Sequence, residues 1–291
     1  MAKSKARRLL SLALCAAAGA FLYGDKLGSN TVYSVRMPRS HIPHFGIAFE
    51  LPATEEEVLK LLNSKHVQGE ALRSCLEQGL WTSFRLMMFL MSSILVMHRL
   101  LVKQFPRGRP GVKWGLMLSL SFWVLDWQRH ALWLSLRGAH FLSGGGTEDE
   151  EKKQEMLMVL ILVVSRFRWV AFHMAVALLA RAYQLHFAKQ LPETIWHIPG
   201  YLGSTDLVIP TVFGASAAIG LLGSVVPSMA YFIGVSMDSL RLGAALTACW
   251  ALWTNIVPRV IKRAFQIDSR ENGADAAKEK KAKKANANKI D

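Results

Sequence analysis

Apolar residues along this chain gather into long runs rather than short alternations. Six runs stand out, at 9–23, 80–102, 114–136, 156–183, 207–235 and 239–258. A helix that crosses a bilayer core needs about 20 mostly apolar residues, so runs of this kind predict membrane helices. The second, fifth and sixth are clean. The third is interrupted by Asp126 and Arg129, the fourth by Arg166 and Arg168. A charge at a helix centre costs about 2.5–3.5 kcal/mol on insertion scales. Two placements fit these two runs: tilted spans whose charges face partner helices, or amphipathic helices lying in the interface. Asp126 and Arg129 stand three residues apart, and an ion pair at that spacing lowers the cost of burial.

The expected fold is an all-α integral membrane protein with about four to six hydrophobic helices plus an amphipathic helix. Residues 1–24 combine a basic start, an apolar stretch and small residues. They read as a retained signal anchor, with a cleaved signal peptide and a mitochondrial presequence as the alternatives. Residues 25–53 read as a connector and 80–262 as the helical membrane domain. The stretches 104–112 and 143–155 read as loops, and 263–291 as a basic disordered tail.

Residues 54–79 carry the grammar of a polar helix. Thr54 followed by Glu57 is a capping box. Glu55, Glu56 and Glu57 suit the positive end of the helix dipole. Leu61, Leu62, Leu72, Leu76 and Leu80 recur on one stripe, and Lys60, Lys65 and Arg73 lie beside it. The stripe fits either a membrane surface or the rest of the protein, and Gly69 marks a bend or break.

Composition sharpens this picture. The 291 residues are 52% hydrophobic and 19% charged, with a formal net charge of +14. A disordered chain lacks that apolar content. A nucleic-acid binder would place its basic charge on a polar surface, so no nucleic-acid partner is expected. Here the charge sits at Lys3, Lys5, Arg7 and Arg8, in the 103–113 loop and after residue 258, whereas Glu148–Glu151 is acidic. If all six runs span, both termini and the 103–113 loop fall on the cytoplasmic side and the acidic loop outside, as the positive-inside rule favours.

Candidate chemistry adds little. Cys15, Cys75 and Cys249 have neither disulfide nor zinc spacing. His98, His130 and His173 lie on different apolar runs, where a lone histidine is more often a packing residue than a haem ligand. No nucleophile–base grouping or phosphate loop occurs, so neither catalysis, cofactor nor metal is expected. The fifth run carries small residues at Gly214, Ala218, Gly220 and Gly223 that let helices approach closely. That face serves either oligomerisation or an internal contact.

Four segments then occur in an informative order. They are Leu61-Leu62-Asn63-Ser64 through Gly69-Glu70-Ala71-Leu72-Arg73 to Phe84-Arg85-Leu86; Phe122 to Trp127; Ser165 to Trp169 with Leu178 to Leu185; and Ile198 to Leu202 with Ile219 to Val226. Together they resemble the peroxin-11 family of peroxisomal membrane-elongation proteins, across roughly residues 58–232. Departures are that Gln68-Gly69-Glu70-Ala71 lacks the family's basic core, and that the N-terminal 55 residues and the sixth run are extra. The resemblance implies a peroxisomal membrane protein that remodels, elongates and divides its membrane. Leu61, Leu62, Leu72, Leu76 and Leu80 would insert into one leaflet. Lys60, Lys65 and Arg73 would meet anionic headgroups. The family also implies homo-oligomers and contact with fission machinery. Two other readings compete: a structural accessory subunit of a complex in the mitochondrial inner membrane, and a small-solute pore or transporter.

Overall fold

The computed structural model describes residues 12–22, 49–63, 70–101, 109–142, 148–188 and 205–255, with 257, 260 and 261. Every element longer than a turn among them is helical. In chain order these are α1 (Leu12–Leu22), α2 (Glu55–Leu62), α3 (Glu70–Leu101), α4 (Arg109–Leu142), α5 (Glu148–Ala188), α6 (Thr205–Val225) and α7 (Phe232–Asn255). A 3-10 turn, Pro227–Met229, separates the last two. Four of these helices are long and apolar enough to cross a membrane: α3 from Leu76, α5, α6 and α7. The fold is thus all-α, in the class of integral membrane proteins.

Contacts divide the chain into Ala13–Ala248, and Met1–Leu12 with Cys249–Asp291. The larger unit holds the core. Helix α5 is its axis, packing on α4, on α6 and on α3, with α2 laid against it. Phe122 meets Phe172 at 5.0 Å between ring centroids, joining α4 to α5. Phe213 on α6 stacks on Tyr183 of α5 at 5.5 Å and lies 6.3 Å from Phe89 of α3. Phe21 of α1 stacks on the other side of this group, 5.5 Å from Phe89.

The helices are apolar on their outer faces too. Trp81, Met88 and Leu95 form an exposed stripe on α3; Met117, Leu120, Val124, Trp127 and Leu134 on α4; Met156, Leu160, Val163, Phe167 and Met174 on α5. A helix that is apolar all round suits a membrane, where lipid covers the face that protein leaves open.

Several boundaries differ from the sequence expectation, each for a local reason. The fifth run was expected to continue to residue 235, but α6 ends at Val225. Pro227 lacks an N–H, and Val226 before it is extended, with φ −98° and ψ 109°. The stretch 143–155 was expected as a loop, yet α5 begins at Glu148. Its acidic first turn complements the helix dipole, and Glu148 pairs with Lys152 at 2.7 Å. The expected loop 104–112 yields to α4 from Arg109. The 54–79 region is two helices. α2 stops at Asn63, and α3 runs from Glu70 through the expected 79/80 boundary without a break. Residues 23–48 and 262–291, and with them most of the connector and the tail, lie outside the described residues.

Candidate functional site

Four ionisable side chains meet where α4, α5 and the end of the connector converge. Asp126 and Arg129 sit one turn apart on α4. Arg168 faces them from the middle of α5. Glu50 enters from the connector, four residues before the cap of α2. The side chains of Asp126, Arg129 and Arg168 are fully buried, while that of Glu50 keeps 15% of its surface exposed.

Their hydrogen bonds are reciprocal. Asp126 Oδ1 accepts from Arg129 Nε at 3.3 Å and Nη2 at 3.2 Å, and from Arg168 Nη1. Glu50 Oε1 accepts from Arg129 Nη2 at 3.4 Å, and Glu50 Oε2 from Arg168 Nη2. Two carboxylates and two guanidinium groups cancel in formal charge. Aromatic rings close the site, with the Arg129 guanidinium 5.3 Å from the Phe49 centroid and that of Arg168 4.8 Å from Trp169. Burial pushes the Glu50 carboxyl up, but Arg129 and Arg168 pull it below the usual carboxylate range, so it stays ionised.

The same arginines bind backbone. Arg129 Nη1 donates to Phe49 O at 3.2 Å, and Arg166 Nη2 donates to Ala53 O at 3.2 Å. Residues 51–54 are not helical, and carbonyls outside a helix need partners once removed from water. Phe49 also stacks on Trp133 of α4 at 4.8 Å. The segment 49–54 is therefore pinned by charge, by backbone hydrogen bonds and by a ring. α2 follows directly. Thr54 Oγ1 accepts from Glu57 N at 3.3 Å, and Glu57 Oε2 accepts from Ala53 N at 2.8 Å. That is the expected capping box, with the returning carboxylate bound one residue ahead of the cap.

A second polar layer lies further along α5. His173 Nε2 is 2.9 Å from Ser236 Oγ on α7, and its Nδ1 is 2.8 Å from Trp169 O. Ser216 Oγ of α6 donates to Ser236 O at 2.8 Å. Tyr183 donates to Thr247 at 3.1 Å. His130 likewise bridges helices, with Nε2 2.9 Å from Leu76 O of α3. Both histidines are thus engaged by protein groups. No group of metal-ligand side chains forms among the described residues.

The sequence candidates fall in distinct places. Leu61, Leu62 and Leu76 are buried in the protein and Leu80 is half-buried, so in this state these side chains face protein rather than a leaflet. Lys60 is exposed and pairs with Glu56 at 2.9 Å. The side chains of Leu72 and Arg73, and the whole of Lys65, lie outside the described residues. Of the small residues on α6, Gly220 meets His173 and Gly223 meets the backbone of Met229 and Ile233. Gly214 faces open space and Ala218 is exposed. The residue that sequence reasoning missed is Glu50. The one signal for it was a charge imbalance: Asp126 alone cannot neutralise both Arg129 and Arg168.

These features define an all-helical membrane bundle with a buried ionic centre. No family model, no curated protein and no solved structure matches the chain.

Proposed function

We propose that the protein is a non-catalytic remodeller of an organelle membrane, acting by insertion of an amphipathic helix and by self-association. The organelle is the peroxisome on the reading taken from the peroxin-11 resemblance, which rests on the four segments quoted above. The observation that carries the proposal is α2 itself. It is a discrete amphipathic helix, with Val58, Leu61 and Leu62 on one side and Glu56 and Lys60 on the other, and it ends before α3 begins. α2 packs on α5 and its apolar residues are buried in the protein, so insertion requires α2 to leave that seat. Once free, its leucines would enter one leaflet, expand it and bend the membrane.

The buried charges favour this reading over a solute pore. Asp126, Arg129, Arg168 and Glu50 neutralise one another and hold a segment of the chain, which is the work of an anchor.

Reconstitution tests the proposal. The full-length protein is placed in large vesicles containing about one fifth anionic phospholipid and viewed by electron microscopy. Tubules that lengthen with protein density are expected, and fewer of them when Leu61 and Leu62 are both changed to Ser. Vesicles that stay spherical at every protein-to-lipid ratio would refute it.

A further inference from the structure

We propose that the Arg129–Arg168 pair is a binding site for the phosphate of an anionic phospholipid, filled within the chain by Glu50, so that lipid and the 49–63 segment compete for it. Two guanidinium groups converge on one carboxylate here, one on each oxygen. A phosphodiester offers the same pair of oxygens, and arginine forks suit both anions.

Charge balance points the same way. With Glu50 withdrawn, Arg129, Arg168 and Asp126 would carry a net +1 in a buried place. An unpaired buried guanidinium is strongly unfavourable, so the segment stays seated unless another anion replaces the carboxylate. A phosphodiester carries a single negative charge and restores neutrality. Asp126, which stays in the site, keeps its bonds to both arginines.

A third observation favours phosphate over a second carboxylate. Arg168 Nε is fully buried and has no hydrogen-bond partner. Such an orphaned donor is uncommon in a folded protein. Glu50 occupies only Nη2 of that guanidinium, whereas an ester oxygen of the phosphodiester, which a carboxylate lacks, can accept from Nε as well.

Glu50 is the one member of the site whose side chain keeps exposed surface, so the route by which its carboxylate enters is the route by which a headgroup would arrive. Arg166 stands beside that entrance on Ala53 O. Its positive charge disfavours a choline group and selects an anionic headgroup. Basic pockets between membrane helices bind such headgroups generally.

Displacement of Glu50 would free α2. Entry of the freed helix into a leaflet rests on the remodelling reading, whereas the binding and the release do not.

The test uses the full-length protein in neutral detergent, with its three cysteines changed to Ser and a spin label at Lys60→Cys. It is titrated with dihexanoyl phosphatidylglycerol, with the phosphatidylcholine analogue and with inorganic phosphate. Phosphatidylglycerol is expected to bind and to mobilise the label, and the other two are not. Glu50→Gln removes the internal competitor and should tighten phosphatidylglycerol binding about tenfold, the worth of one charged hydrogen bond. Arg168→Lys keeps the charge but loses the fork and should weaken binding about tenfold at unchanged helix content.

A label that stays immobile at saturating phosphatidylglycerol overturns the proposal. So does a Glu50→Gln protein that binds no tighter. Equal binding of inorganic phosphate would assign the site to a free anion and overturn its assignment to lipid. Mobilisation without vesicle tubulation would support the lipid site and sink the remodelling reading alone.

Discussion

At the scale of the residue, the molecule turns on charges that a membrane protein pays heavily to bury. Asp126 touches both Arg129 and Arg168 and is itself wholly buried. Its removal leaves two guanidinium groups sharing Glu50. Asp126→Asn should therefore cost about 3–5 kcal/mol, the usual penalty for breaking a buried pair from one side. Thermal unfolding in detergent, followed by circular dichroism, measures this. A variant as stable as the parent would show that water reaches the cluster and screens it. The i,i+3 pair of Asp126 and Arg129 was legible in the sequence, because helical spacing alone puts the two on one face. Arg168 was visible as a charge without a partner. Glu50 was not legible, since many carboxylates lie elsewhere in the chain and nothing local says which one folds back.

At the scale of the element, helix lengths and caps follow from local rules, and helix faces do not. The capping box at Thr54 and Glu57 starts α2 as its residues dictate. Pro227 ends the α6 run, and the acidic cluster Glu148–Glu151 starts α5 earlier than apolarity alone suggests. The small residues of α6 divide by what they face. A Cβ on Gly220 would overlap the His173 ring, whereas one on Gly214 would meet nothing within 4 Å. Gly220→Ala should thus destabilise the bundle by about 1–3 kcal/mol through overpacking. Gly214→Ala should be neutral or gain up to about 1 kcal/mol from helix propensity. Parallel melting curves of the two variants separate these outcomes. If Gly214→Ala instead lowers stability only at concentrations where the protein self-associates, Gly214 lies on a face between copies.

At the scale of the whole molecule, α4 is the informative helix. Composition leaves it out of the four helices long and apolar enough to cross, and its middle carries Asp126 and Arg129. Yet it packs between α3 and α5, and it turns its charges toward Arg168 while its other face stays apolar. With 34 residues it is about 51 Å long, more than the roughly 30 Å of a bilayer core. It should therefore cross, with Lys113 and the acidic start of α5 on opposite sides. In sealed proteoliposomes of uniform orientation, a membrane-impermeant maleimide should label Lys113→Cys and Asp149→Cys from opposite faces. Labelling of both from one face would place α4 in the interface.

The sequence by itself determined the helical class, the approximate place of the long apolar helices, the cap of α2 and the pairing of Asp126 with Arg129. All of these depend on residues within a few turns of one another, so their periodicity and spacing suffice. Only the tertiary structure decided that the leucines of α2 are buried in the protein, that Gly220 makes room for a histidine, and that a connector carboxylate completes the ionic centre. Lipid is about as apolar as a leucine-lined interface, so hydropathy cannot say which face of a membrane helix meets protein. Long-range packing also neutralises the buried charges that local spacing leaves without a partner.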